Sequence, residues 1–240
     1  MNSKDIDKVI TQLSEAEHAY YVLNTPIMSD GEYDKLFNEL KQYELNNPSE
    51  VKSYSPTQRV TGTPDGAFNQ IKHIQRMYSL DNAESTEDIH KWFERISKIT
   101  DKTLFPVSLE PKIDGLAISI IYKDGILQQG LTRGDGVIGE DVTHNVKTIM
   151  NVPLRLKKVT KGTLEIRGEI YMPTESFNKL NIKRKNDEIT LEKLKSLENP
   201  TKDEKKIMAE IRSEGVTSFI NSRNAAAGSL RQKNSSITAK

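Results

Sequence analysis

The stretch LEPKIDGLAISIIY, residues 109–122, decides how the rest of the chain is interpreted. Its second half is apolar and β-branched, which favours a strand. Because side chains on a strand alternate between two faces, Glu110, Lys112 and Asp114 are predicted to share one face. Two interpretations are open: a solvent-facing edge strand with salt bridges, or a pocket in which a lysine lies between two carboxylates.

The pocket interpretation indicates covalent chemistry at Lys112. A lysine amine can attack an activated phosphate and form a covalent intermediate after it has lost its proton. An ordinary lysine has a pKa of about 10.4, and neighbouring carboxylates stabilise the ammonium rather than the free amine. Activation therefore needs a cation such as Mg²⁺, a nearby arginine or a nearby lysine, and Glu110 and Asp114 are expected to serve a nucleotide or a metal.

The N-terminal residues have the spacing of a helical hairpin. Apolar side chains recur at helical intervals over residues 5–23. After a short loop, Ser29 and Glu32 form a capping-box pattern that opens a second amphipathic helix, which is expected to end near Pro48. Residues 1 to about 48 therefore predict a small helical unit.

The remainder of the chain predicts an α+β fold. Residues 49–80 have loop composition, 84–100 have helical spacing, and 104–173 alternate with period two around Asp-Gly turns, which predicts an antiparallel, strand-rich core. In its LEIRGEIYM stretch, Glu165, Arg167 and Glu169 are predicted to share a strand face, either as a polar surface or as part of a site. Residues 183–214 hold nine basic and eight acidic side chains and predict a charged helical hairpin. Thr201 and Glu204 have a second capping-box pattern, and Gly215 is the expected helix stop.

Composition excludes several kinds of site. Lys plus Arg is 35 and Asp plus Glu is 34, so a nucleic-acid surface must be a local patch. The absence of cysteine excludes disulfides and thiolate zinc sites in this chain, and the four histidines lack ligand spacing, so neither zinc nor a metal cage of protein ligands is expected. The longest apolar run, 115–122, is too short to cross a bilayer, and the N-terminus is not signal-like. A cytoplasmic protein without a membrane partner is expected.

The KIDG tetrapeptide at residues 112–115 resembles the K-x-D-G signature of covalent nucleotidyltransferases, which include DNA ligases, RNA ligases and capping enzymes. Five further blocks resemble NAD-dependent DNA ligases and follow that family's order: SPTQRV (55–60), SLDN (79–82), TRGDGVIGEDVTHNVKTI (132–149), LEIRGEIYMP (164–173) and RNAAAGSLRQ (223–232). The resemblance covers nearly the whole chain apart from 183–214, and Ser222 stands where the family usually has proline.

The resemblance implies two domains. Residues 1–68 would be a helical subdomain and linker that binds the nicotinamide mononucleotide (NMN) half of NAD. Residues 69–240 would be an antiparallel-sheet nucleotidyltransferase (adenylation) domain of the ATP-grasp-like ligase type, truncated at its C-terminus, with 183–214 as a solvated helical insertion that touches no substrate. The family continues with a further lysine motif, an OB-fold, a zinc module, a helix-hairpin-helix region and often a BRCT domain.

The resemblance also implies residue roles. Lys112 would take AMP from NAD and release NMN, Glu110 would read the adenine and Glu169 would face the ribose. The expected cofactor-binding residues are Tyr20, Tyr21, Asp30, Tyr33, Asp34, Ser79, Leu80, Glu110, Asp114, Arg133 and Glu169. Arg223 and Arg231, from the acid-free stretch 216–240, are expected to contact DNA or phosphate. Core packing is an open alternative for Tyr20 and Tyr33, because both lie on apolar helix stripes.

The expected function is lysyl-AMP formation for DNA replication and repair, with NAD and Mg²⁺ or Mn²⁺ as cofactors. Nicked double-stranded DNA is the expected partner, bound weakly by a monomeric chain. One alternative is an ATP-dependent relative, against which the helical hairpin and the RNAAAGSLRQ block argue. The other is a truncated, non-catalytic module that binds NAD or DNA.

Overall fold

The computed structural model describes residues 3–21, 23, 25–59, 68–158 and 161–239, except for the side chains of 3–5 and 21. The helices are α1 (Ser3–Tyr21), α2 (Asp30–Asn46), α3 (Thr86–Thr100), α4 (Thr143–Val146), α5 (Thr174–Lys195), α6 (Lys202–Glu214), α7 (Ser222–Leu230) and α8 (Ser235–Thr238). The strands are β1 (Gln70–Lys72), β2 (Leu116–Lys123), β3 (Ile126–Thr132), β4 (Ile138–Glu140) and β5 (Thr163–Ile170). None of the helices in these ranges is long and apolar enough to cross a membrane.

Helices α1 and α2 form the predicted N-terminal hairpin. The capping box is confirmed, since the Glu32 amide donates to Ser29 Oγ at 3.3 Å and the Ser29 amide donates to the Glu32 carboxylate at 2.9 Å. The two helices share a buried apolar seam formed by Ile6, Val9, Ile10, Leu13 and Leu40. Packing of this seam, rather than helix propensity alone, holds the pair together.

Two antiparallel sheets form the centre of the fold. One has the order β3-β2-β5, with β2 in the middle, and the other pairs β1 with β4. Asp124 and Gly125, with φ of 52° and 78°, form the turn between β2 and β3, as the Asp-Gly pattern predicts. The α+β class and the antiparallel core are confirmed. The core is lined by Ile118, Ile120, Tyr122, Leu127, Val142, Val146 and Leu230.

The prediction that Glu110, Lys112 and Asp114 lie on a strand is wrong. Strand β2 begins only at Leu116, and residues 103–114 make no backbone hydrogen bond to any described residue. This segment contains Pro106 and Pro111, which have no N–H group to donate to a sheet. The segment therefore crosses the surface as exposed, unpaired backbone.

The C-terminal third is helical over longer ranges than the charge pattern indicates. Helix α5 begins at Thr174 rather than at residue 183. The prediction began too late because the dense charges on which it depended occur only in the outer part of the helix. The predicted capping box of Thr201 with Glu204 and the helix stop at Gly215 are confirmed. The RNAAAGSLRQ block lies mostly on α7, where Ala225, Ala226 and Leu230 are buried.

Candidate active site

A cavity of about 670 Å³ lies beside the β2–β5 ladder and gathers residues from distant parts of the chain. Its lining includes seven of the residues that the sequence singles out, namely Ser79, Leu80, Lys112, Arg133, Glu169, Arg223 and Arg231. The volume is in the range of small-molecule and cofactor sites. The fold therefore brings Lys112, three arginines and the carboxylates of Asp135, Glu140 and Glu169 to one concave surface.

Strand pairing places Glu169 at the wall of this cavity. Glu169 lies opposite Ala117 in the antiparallel ladder, and Ala117 also lines the cavity. Gly115 lies one residue before β2 and passes close to the backbone of β5. A Cβ on Gly115 would lie 2.2 Å from the Ile170 carbonyl oxygen. The glycine of the KIDG tetrapeptide thus allows the chain to leave β2 towards Lys112 without pushing β5 away.

The structure separates Lys112 from the carboxylates that flank it in sequence. Glu110 and Asp114 are not among the cavity-lining residues, whereas Lys112 is. Glu110 accepts a hydrogen bond from the Ser108 hydroxyl at 2.9 Å, and Asp114 accepts one from Arg223 at 3.4 Å. The shared strand face of the three residues does not exist in the structure.

The three cavity arginines differ in their charge partners. Arg231 lies 2.7 Å from the Glu140 carboxylate and Arg223 lies 3.4 Å from that of Asp114. Arg133 has no hydrogen bond or ion pair from its side chain to any residue in the described ranges. Its planar fork of N–H donors is therefore available to an anion, to which a guanidinium binds in bidentate fashion.

A tight turn after β3 carries Arg133. Gly134 and Gly136 have φ of 55° and 90°, and a Cβ at Gly136 would lie 2.5 Å from the Met77 carbonyl oxygen. Backbone N–H groups of Ile138 and Val137 both donate to the Asp135 carboxylate at 2.8 Å. These hydrogen bonds hold the pKa of Asp135 below its ordinary value. The two glycines and Asp135 thus fix the backbone from which Arg133 projects.

Arg167 fixes the segment that leads to Ser79 and Leu80. Its guanidinium donates to the carbonyls of Arg76 at 3.0 Å and Gln75 at 2.6 Å, and to the Glu165 carboxylate at 3.0 Å. The sequence singles out Arg167 only through its period-two spacing with Glu165 and Glu169. Its partners 91 and 92 residues away could not be found from that pattern.

Glu165 in turn holds Arg167. Its carboxylate also accepts a hydrogen bond from the Ser119 hydroxyl at 2.7 Å. Burial acts to raise the pKa of Glu165, but the hydrogen bonds from Ser119 and Arg167 outweigh it and the pKa is lowered. Glu165 is therefore held as a carboxylate.

A second pocket of about 350 Å³ lies on the N-terminal hairpin. Four of the five hairpin residues expected to bind the cofactor line it: Tyr20, Asp30, Tyr33 and Asp34. The side chain of the fifth, Tyr21, lies outside the described residues. Tyr33 also packs against the hairpin core and donates from its hydroxyl to Glu17 at 2.9 Å, so core packing and pocket lining are both true of this residue.

Metal-binding side chains are not clustered in the described ranges. No three His, Cys, Asp or Glu side chains there lie close enough together to hold a metal ion.

Comparisons with known proteins match both parts of the chain to one family. A family model described as NAD-dependent DNA ligase adenylation domain matches residues 65–194 and 197–240, which include most of 183–214. A second, described as DNA ligase-like, N-terminal NAD+-binding domain, matches residues 2–61.

Relatives named DNA ligase match nearly the whole chain. That of Marinomonas sp. is 40% identical over 100% of this chain and 32% of its own length. That of Azotobacter vinelandii is 43% identical over 98% of this chain and 27% of its own length. That of Oceanobacillus iheyensis is 43% identical over 99% of this chain and 31% of its own length. The chain thus spans about a third of the length of these relatives.

Proposed function

Because the chain belongs to the NAD-dependent DNA ligase family, we propose that it performs the first step of ligation, the transfer of AMP from NAD to Lys112. The amine of Lys112 attacks the phosphorus of the AMP half, a nitrogen–phosphorus bond forms, the pyrophosphate bond breaks and NMN leaves. The observation that carries this proposal is the cavity that brings Lys112 together with Arg133 and Glu169.

Roles for the other cavity residues follow from their chemistry. Arg133 donates to the phosphate that receives the attack, where its positive charge stabilises the developing negative charge. Ser79 and Leu80 form the wall for the base, and Glu169 faces the ribose. Glu110 is proposed to accept from the adenine amine, which requires its exposed segment to fold over the bound base.

The hairpin pocket is proposed to hold the NMN half of NAD. Carboxylates of Asp30 and Asp34 suit the cationic nicotinamide ring and the ribose hydroxyls, and an aromatic ring such as that of Tyr20 can stack on a cationic ring. NAD would thus be held at both ends, by two pockets on separate parts of the chain.

Mg²⁺ is proposed as the accompanying metal. It usually keeps several waters and binds through substrate phosphates with one or two carboxylates, and Glu169 is a suitable carboxylate at the cavity wall. When bound, the ion would neutralise phosphate charge. We place the protein in the cytoplasm, as a monomer.

Nicked double-stranded DNA is the proposed acceptor of the AMP, on its 5′-phosphate, in replication and repair. Arg223 and Arg231 would contact backbone phosphates after exchanging their present partners, Asp114 and Glu140. So few contacts give weak and salt-sensitive binding. Sealing also requires precise positioning of the nick, so we expect no sealed strand on a denaturing gel when this chain alone is given NAD and nicked DNA.

Intact-mass measurement after incubation with NAD or with ATP tests the proposal. Addition of one AMP with NAD alone supports it. An adduct with ATP alone would show an ATP-dependent nucleotidyltransferase instead. Binding of NAD without an adduct would show a non-catalytic binding module, and the DNA-sealing role would then belong to the longer relatives only.

A further inference from the structure

His73 lies buried beneath the turn that carries Arg133, and the proposed chemistry gives it no part. Its side chain is almost fully enclosed, at 5% exposure. It follows directly on β1, and its backbone N–H donates to the Val137 carbonyl at 2.9 Å. One ring nitrogen, Nε2, lies 3.1 Å from the Arg133 carbonyl oxygen.

The tautomer of His73 follows from this contact. A carbonyl oxygen only accepts hydrogen bonds, so Nε2 must carry the hydrogen. The other nitrogen, Nδ1, is buried without a hydrogen-bond partner among the residues that the structure describes. An unpartnered buried nitrogen costs free energy that an apolar ring of similar size would not. The bond to Arg133 is therefore what the imidazole contributes at this position beyond filling space.

The ring also fixes the far side of the turn. A Cβ at Gly139 would lie 2.9 Å from His73 Nε2, so the Gly139 backbone packs directly against the ring. The Arg133 carbonyl accepts a second hydrogen bond from the Gly136 amide at 2.9 Å. The Arg133 carbonyl thus accepts one hydrogen bond from within the turn, from Gly136, and one from His73.

We propose that His73 is a positioning residue for Arg133. The Arg133 guanidinium has no side-chain partner within the described ranges, so its place in the cavity depends on its backbone. His73 holds that backbone through the carbonyl and so aims the guanidinium at the phosphate of the bound nucleotide. The inference rests on the proposed role of Arg133 in NAD binding.

Two amide variants separate this role from simple space filling. In His73→Gln the amide nitrogen is as many bonds from Cα as Nε2 and can still donate to Arg133. In His73→Asn it is only as far from Cα as Nδ1 and falls short. In calorimetric titration with NAD, we expect binding about tenfold weaker for His73→Asn, because binding must then order the turn without this hydrogen bond, and within about twofold of the parent for His73→Gln.

A double variant shows whether the effect passes through Arg133. In an Arg133→Ala background, His73→Asn should weaken NAD binding no further, because the group that it positions is gone. Equal losses in the Gln and Asn variants, or an additive loss in the double variant, would overturn the inference. If Arg133→Ala alone left NAD binding unchanged, the proposed role of Arg133 would fail instead.

Amide hydrogen exchange without NAD gives an independent result. The Gly136 and Ile138 amides should exchange faster in His73→Asn than in His73→Gln, with β2 amides unchanged in both. Unchanged exchange at the turn in His73→Asn would also overturn the inference, whether or not the chain binds NAD.

Discussion

Glu17 and Arg59 form a buried ion pair at 2.9 Å that joins the N-terminal hairpin to the sheet-containing part of the chain. Their side chains are 3% and 8% exposed. Arg59 also donates to the backbone carbonyls of Lys147 at 3.0 Å and Val152 at 3.2 Å, and Tyr33 donates to Glu17 at 2.9 Å. Tyr33, which lines the hairpin pocket, is thus linked through Glu17 to Arg59, the residue that connects the hairpin to the rest of the chain.

Replacing Arg59 by methionine should strongly destabilise the chain. Removal of one partner leaves Glu17 buried without its counter-ion, which typically costs about 3–5 kcal/mol. Denaturant unfolding followed by circular dichroism measures this. The matched control is Lys157→Ala, which breaks the exposed Glu15–Lys157 pair and should change stability by no more than about 1 kcal/mol. Similar losses in the two variants would contradict the assignment.

Asp34→Ala should weaken binding of NAD by about tenfold while leaving binding of AMP unchanged, since a lost charged contact to the NMN half affects only NAD. Calorimetric titration with both ligands measures the difference. Glu39→Ala is the control, because Glu39 is an exposed carboxylate on the same helix outside the pocket. A point variant is preferable to deletion of residues 1–48, which would also remove the counter-ion of Arg59. An equal loss of AMP binding would show that Asp34 does not act through the NMN half of NAD.

Any AMP adduct formed from NAD should map to Lys112, and Lys112→Arg should form none, because a guanidinium stays protonated and cannot attack. Peptide mapping by mass spectrometry locates the adduct. Lys102→Arg, a change at an exposed lysine outside the cavity, should leave its formation intact. An adduct on another lysine would remove Lys112 from the proposed chemistry.

Glu165→Gln should make stability less dependent on acid pH. The folded chain lowers the pKa of Glu165 below its ordinary value of 4.5. The ionised group therefore stabilises the fold above pH 4.5, and this contribution is lost as the pH falls through the lower, folded-state pKa. Glu165→Gln should thus be less stable than the parent at neutral pH, with the gap closing in acid.

Urea unfolding at a series of pH values tests the Glu165 prediction. Glu175→Gln serves as the control: Glu175 also has a lowered pKa, through its hydrogen bond and charge contact with Lys179, but it is exposed, so solvent should screen most of its effect. A gap that persisted unchanged in acid would mean that the carboxylate of Glu165 does not act through its charge.

Replacing residues 188–210 by a short Gly-Ser linker should leave NAD binding unchanged. These residues form the outer part of α5 and α6, whereas the inner part contacts the segment that leads into α7: Arg184 donates to the Thr217 carbonyl at 2.5 Å and lies 4.0 Å from the centre of the Phe219 ring. Arg184→Ala is the contrasting variant and should lower the stability of the fold, because it removes the contacts to Thr217 and Phe219. Calorimetric titration with NAD tests the linker variant and denaturant unfolding tests Arg184→Ala; a large loss of NAD binding on linker replacement would place the outer helices in the site.

Local signals in the sequence predicted the parts of the fold that neighbouring residues determine. The Ser29 capping box, the Gly215 helix stop and the Asp124–Gly125 turn all depend on contacts within a few residues. The missing strand at Lys112 illustrates the opposite case. Its period-two pattern is that of a strand, but strand formation also requires a partner, and no described residue pairs with it.

Charge partners in the site were also beyond the reach of sequence patterns. Arg223 and Asp114 are 109 residues apart, and Arg231 and Glu140 are 91 apart. Family blocks identified both arginines but carried no information on these pairs. Arg59 lies in a recognised block as well, yet its buried partner Glu17 depends on how the hairpin packs against the rest of the chain.

The close passage of Gly115 against Ile170 affects how a mutational screen of this protein should be interpreted. A screen for lost adenylation would recover substitutions at both Lys112 and Gly115, and their proximity would suggest a common defect. At Gly115 any side chain collides with the β5 backbone, so such clones would be lost through poor folding and low abundance. Measuring soluble yield as well as activity would separate substitutions that remove chemistry from those that impair folding. Gly115 would then not be mistaken for a residue that contacts the nucleotide.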